Sequence, residues 1–80
     1  MKRTLYFAPL ATAALRQIDR RFVTHIWTTL DALLADPGTA KFRSDVDDPS
    51  VFCITVAGDI MIWFEILDER HAIRVLDIEE

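Results

Sequence analysis

The sequence predicts an α+β fold of order β-α-α-β-β-β, with a helical hairpin packed on a small, antiparallel-dominated sheet. Three observations carry that expectation. The last thirty residues hold three strand-like segments, Val51–Val56, Asp59–Leu67 and Ala72–Ile78, parted by short turns. The middle segment contains Ile60-Met61-Ile62-Trp63-Phe64, apolar at every position, as in a central strand buried on both faces. Ahead of them, Leu10 to Leu34 is rich in helix formers with apolar residues at helical spacing.

The first strand is expected at Thr4–Phe7, short and of β-branched and aromatic character. Pro9 then suits a first helical position, where its fixed φ fits and its missing N–H is harmless. Leu10, Ala14, Ile18 and Phe22 recur every four residues and give the first helix a narrow apolar stripe. A stronger stripe follows in Phe22/Val23, Ile26/Trp27, Leu30 and Leu33/Leu34. Asp36-Pro37-Gly38 ends it, since proline disfavours helical geometry in the residue before it and glycine permits the exit turn. The break between the two helices is expected at Asp19–Phe22.

Gly38 to Ser50 is polar and reads as a loop, opening with a short strand at Lys41–Arg43. Ala57-Gly58-Asp59 is a hairpin turn in which Gly58 can supply positive φ. Leu67-Asp68-Glu69-Arg70 marks the next turn.

Composition bounds the function. A chain of 80 residues makes one domain, 1–80, and buries only about 60–65% of its unfolded surface. Its apolar share of 51% is high for so small a chain, so an efficient core or a partner-covered surface is expected. A net charge of −4 and a pI near 5.0 argue against direct nucleic-acid binding by phosphate neutralisation. The single cysteine, Cys53, cannot form an internal disulfide and fits a reducing compartment. The apolar stretch after Lys2 and Arg3 is broken by Pro9 and Thr12 and stopped by Arg16, unlike a signal peptide. No apolar run approaches the ~20 residues that span a bilayer. A cytoplasmic protein without a membrane segment is the expectation.

Tyr6-Phe7-Ala8-Pro9-Leu10-Ala11, Leu30 to Pro37, Gly58 to Arg70 and Val75-Leu76-Asp77-Ile78, taken in order over nearly the whole chain, resemble the RelE/ParE superfamily of bacterial type II toxins. Tyr6-Phe7-Ala8-Pro9-Leu10-Ala11 is similar to that family's opening strand and helix-starting proline and alanine. Leu30 to Pro37 resembles its second helix, ending on leucine, a spacer and proline. Gly58 to Arg70 is similar to its segment of glycine, aromatic, arginine, an apolar pair, tyrosine, a further apolar stretch and an acidic turn, and Val75-Leu76-Asp77-Ile78 parallels its closing strand. The resemblance implies a small toxin-like domain and a small antitoxin partner that wraps a segment around it.

The ribosome-dependent nucleases of the superfamily cut mRNA with basic residues on the sheet and near the C-terminus. Their arginine early in the central strand falls here on Met61, and two basic positions of the preceding strand fall on or near Cys53 and Thr55. Their late arginine would lie at or beyond Glu79-Glu80. Those substitutions remove the cations that would stabilise charge in the transition state. No catalytic residue is therefore assigned, and RelE-type mRNA cleavage is not expected. ParE-like members, which poison DNA gyrase without shared nuclease residues, are untouched by this test.

The remaining polar residues offer little chemistry. Arg16, Arg20 and Arg21, joined in space by Arg43, form the basic cluster; solvated charges at a helix C-terminus are the weightier reading, docking of an acidic partner the sharper one. Asp45, Asp47 and Asp48 lack the glycine and distal glutamate of a calcium loop and read as turn residues. His25 and His71 have no second ligand at metal-like spacing, so no metal or cofactor is expected. Cys53 reads as a buried strand cysteine, and Ser44 and Ser50 lack a nucleophile-elbow context.

Alternation places Trp63 and Glu65 on one face of their strand and Phe64 on the other. Burial of both aromatics in the core is the weightier reading, and an outward apolar platform for a partner the sharper one. Arg20, Arg21, Arg43, Trp63 and Glu65 are thus the candidate partner-binding residues. Two functions stay open: a toxin-like component acting through partner binding, and a non-toxic interaction or structural protein, homodimeric or not, on the same scaffold.

Overall fold

The computed structural model describes residues 3–36, 43–44 and 47–80. Strand β1 (Thr4–Phe7) leads into helices α1 (Pro9–Gln17) and α2 (Arg20–Ala35). Then come β2 (Arg43–Ser44), β3 (Val51–Val56), β4 (Ile60–Leu67) and β5 (Ala72–Glu79). The five strands form one sheet in the order β1-β5-β4-β3-β2, antiparallel except where β1 runs parallel to β5. The α+β expectation holds, with β4 at the centre. The short strand is described at Arg43–Ser44; the first two residues of the expected Lys41–Arg43 strand fall outside the described ones.

Pro9 opens α1 behind an extended Ala8. The helix stops after Gln17 because Ile18 is extended, at φ −73° and ψ 148°. Asp19 then caps α2, its side chain accepting the Arg21 N–H at 2.9 Å. The break therefore sits at Ile18–Asp19, at the near edge of the expected stretch. The apolar stripe of α1 also differs from its spacing-four reading. Leu10 is 62% exposed, while Ala11 is fully buried and Ala14, Leu15 and Ile18 pack against the core. In a helix of nine residues the small Ala11 sets the inward face, and the bulkier Leu10 beside it turns outward.

In α2 the buried residues are Ile26, Leu30, Leu33 and Leu34, the i, i+4, i+7, i+8 stripe of a one-sided helix. They meet Ile54, Val56, Ile60, Ile62, Phe64, Ile73, Val75 and Ile78 from the sheet. Both helices thus cover the same face. The N–H of Arg3 donates to the Leu34 carbonyl at 3.0 Å and ties the start of β1 to the end of α2.

Two details of the sheet aim its outer side chains. Trp63 pairs with Asp77, but Phe64 pairs with Val75, so Leu76 is an extra residue on β5. Such a bulge bends the strand and re-aims its neighbours. The β3–β4 turn places both Ala57, at φ 54°, and Gly58, at φ 82°, in the left-handed region, as a type I′ hairpin turn requires. Gly58 suits that geometry and Ala57 does not. Replacing Ala57 with asparagine is therefore expected to stabilise the protein by about 0.5–1 kcal/mol, read from urea denaturation midpoints.

Candidate interaction surface on the open face of the sheet

With both helices on one side, the alternate residues of each strand point to the other. On β4 these are Met61, Trp63 and Glu65, all half-buried, while Ile60, Ile62 and Phe64 are core. On β3, Thr55 is registered with Met61, Cys53 with Trp63 and Val51 with Glu65. On β5, Glu79 lies opposite Met61, Asp77 opposite Trp63 and Arg74 opposite Glu65. Tyr6 of β1 pairs with Arg74 and closes the row, 47% exposed.

The structure thus separates two aromatics that the sequence reading put together. Phe64 is in the core, but Trp63 stands half-buried on the outer face. The reason is strand alternation combined with a helical layer on one side alone. Cys53 is 3% exposed, as expected of a buried strand cysteine, yet it lies in register with Trp63 rather than among the residues that meet the helices.

The charges on this face are mostly negative. Glu65 forms an ion pair with Arg74, which engages the one cation registered on β4 or β5 among the described residues. Asp77 accepts the N–H of Ile78 through Oδ1 at 2.8 Å. Glu79 is exposed. Val51, Trp63, Asp77 and Glu79 line a shallow cleft of about 280 Å³. A second cleft, of about 380 Å³, lies beyond the bulge and is lined by Tyr6, Pro9, Leu67, Arg70, Arg74 and Leu76.

The five candidate residues do not form one site. Trp63 and Glu65 share the outer face. Arg43 lies in β2 with its backbone registered to Cys53. Arg20 and Arg21 are in the helical layer, at the first turn of α2 rather than at a helix C-terminus. Positive charge is unfavourable there. Asp19 offsets it: its carboxylate accepts from Arg21 Nε at 3.2 Å and lies 3.1 Å from Nη2, while the Arg21 guanidinium sits 5.4 Å above the Phe22 ring. Arg16 alone fits the expected position, in the last turn of α1.

The Arg21 backbone N–H, and then its side chain, hold the Asp19 carboxyl below the ordinary value of 3.8. A depressed folded pKa contributes stability above the ordinary value and loses it as pH falls through the folded one. Asp19→Asn keeps the cap acceptor but not the charge. It is expected to abolish that part of the acid-side loss of thermal stability below about pH 4. Scanning the unfolding temperature against pH for both proteins checks it.

From the sequence Glu79 stands out only as an acidic residue near the place of the family's late arginine, and neither Asp77 nor Val51 stands out as a site residue. Their alternation with Ile78 and Phe52 was readable, but the one-residue bulge that sets Asp77 opposite Trp63 leaves no sequence signal. Among the described residues no three His, Cys, Asp or Glu side chains gather as a metal site. No helix among them is long and apolar enough to cross a membrane.

No protein-family profile matches the chain, and no curated protein matches it in sequence. Solved structures do. A chain of the toxin–antitoxin complex RelBE2 from Mycobacterium tuberculosis superposes with a TM-score of 0.84 at 16% identity, covering 100% of this chain and 92% of that one. The isolated E. coli RelE toxin gives 0.83 at 15% identity, covering 98% and 83%. The fold is that of the RelE toxins. The archaeal RelE–RelB complex from Pyrococcus horikoshii extends the likeness, at 0.73 and 13% identity over 99% and 94%. On this fold the register gathers Met61, Thr55 and Cys53 on the outer face.

Proposed function

We propose that this protein is the toxin-like component of a type II toxin–antitoxin module and acts by binding a small protein partner rather than by cutting mRNA. One observation carries the reading: the outer face of a RelE fold presents methionine, threonine and tryptophan over a buried cysteine, rimmed by Asp77 and Glu79. Cutting RNA there would need preorganised cations facing the scissile phosphate. Arg74, the cation of β4 and β5, is already engaged by Glu65. Two carboxylates on the rim oppose the approach of a phosphate backbone. An apolar, aromatic face flanked by polar side chains is the composition of a protein-binding surface. Solved relatives of this fold are seen in complex with antitoxins, the RelBE2 and RelE–RelB assemblies among them, which supports a partner of that kind.

Co-expression with the small reading frame beside the gene tests this. The two products are expected to elute together in size-exclusion chromatography at a constant mass ratio on dilution to micromolar concentration. Independent elution would contradict the reading. Induction of the chain alone reports toxicity separately. Arrest relieved by the neighbouring gene would show a toxic chain with its antitoxin, and unimpaired growth would assign a non-toxic scaffold role.

A further inference from the structure

The charge of the open face says what kind of partner segment fits it. We infer that the cleft between β3, β4 and β5 seats a cationic side chain, arginine or lysine, of an extended partner segment, on the Trp63 ring between Asp77 and Glu79. This rests on the partner-binding reading and adds the chemistry of the occupant.

Four observations support it. Trp63 and Asp77 are directly opposite each other across the β4–β5 pair, and Met61 and Glu79 form the same relation two residues on. Both carboxylates therefore rise beside the indole on one side, with Val51 on the other wall of the cleft. Neither Asp77 nor Glu79 takes part in the ion pairs Arg3–Asp68, Arg21–Asp19 and Arg74–Glu65. The bulge at Leu76 is what brings Asp77 into register with Trp63 rather than one residue away.

The recognition follows from known interactions. A guanidinium or ammonium over an indole is attracted by the ring quadrupole, and Trp is the strongest of the aromatic partners. The two carboxylates add charge-assisted hydrogen bonds at the edge of the same ring. An acidic segment would instead meet two like charges. A cleft of about 280 Å³ is large enough for a single long side chain. The occupant is thus a basic segment with small or β-branched residues between its cations, lying across the strands.

The test uses the intact chain, labelled with ¹⁵N, and the blocked peptide Arg-Val-Arg-Val-Arg. Titration is expected to shift the Trp63 indole resonance and the amides of Asp77 and Glu79, leaving the Trp27 indole on α2 unmoved. Salt should weaken the binding, since the carboxylates are solvent-facing. The Asp77→Asn/Glu79→Gln variant keeps the oxygen that accepts from Ile78 and so should fold, which far-ultraviolet circular dichroism confirms. Its dissociation constant for the peptide is expected to rise roughly tenfold. Equal affinity of variant and natural chain would overturn the inference, as would no shift at millimolar peptide. A Glu-Val-Glu-Val-Glu peptide or a single-stranded RNA hexamer that shifted Trp63 would overturn it as well. If the co-expressed neighbour bound the double variant as tightly as the natural chain, the partner-binding reading would stand and this cleft would not be its seat.

Discussion

Replacing Phe64 with alanine is expected to destabilise the protein by about 3–5 kcal/mol, enough to unfold a large share of it at room temperature. Phe64 has no exposed surface, lies on the central strand, and has its ring centroid 5.8 Å from that of Phe52 on the neighbouring one. Its side chain faces the helical layer, where Ile26, Leu30 and Leu33 are also fully buried. A cavity there has no flexible boundary to collapse it. A domain of this length has only about 4–12 kcal/mol of total stability, so the loss removes a large fraction of it. Phe64→Leu, which keeps most of the volume, should cost about 1.5 kcal/mol or less. Trp63→Leu should be mild too, because its ring is half-buried on the open face. Urea denaturation of the three variants orders them. A larger cost for Trp63→Leu than for Phe64→Ala would reverse the assignment of the two faces.

Arg74→Ala is expected to have the next largest effect, about 1–2 kcal/mol at low salt. Arg74 and Glu65 are directly opposite each other on β5 and β4 and form an ion pair. The Glu65 side chain is 19% exposed and that of Arg74 47%, so water screens the pair only partly. Removing the arginine leaves a mostly covered carboxylate without its cation, which costs more than the pair contributes on balance. Glu65→Gln in the Arg74→Ala background should therefore restore stability, while Glu65→Gln alone should cost less than Arg74→Ala. A double-mutant cycle by urea denaturation measures the coupling, and strict additivity would show that the pair contributes nothing.

The fold was legible because its strongest signals are local and redundant. Ile60 to Phe64 reads as a central strand and is one, although burial on both faces was not met, since Met61 and Trp63 are half-buried on the open side; Ile26, Leu30, Leu33 and Leu34 form one helix face. Short turns between the last three strands left a meander as the natural arrangement. The helix break was blurred because nothing between Ile18 and Phe22 forbids helix; an extended Ile18 and the Asp19 cap decide it together. That one-residue difference carried Arg20 and Arg21 from a favoured helix C-terminus to a disfavoured N-terminus. Leu10 misled because a spacing-four stripe has two neighbouring phases in so short a helix.

The surface was only half legible. Trp63 and Glu65 could be placed on one face by alternation, but which face the helices cover is a tertiary fact. Asp77 and Glu79 gained their meaning from register across β4 and β5, and register is set by pairing and bulge, not by local sequence. The absence of arginine and lysine at Met61, Cys53 and Thr55 was visible at once, and the structure adds that these three share a face.

The central claim is that a RelE fold with this outer face does not cut mRNA. Primer extension on a messenger translated in a purified ribosomal system, with this chain added in excess over ribosomes, tests it most directly. Unbroken full-length extension, with an E. coli RelE control cutting the same message, is the predicted result. Chain-dependent cleavage that follows the ribosome's position on the message would contradict the account.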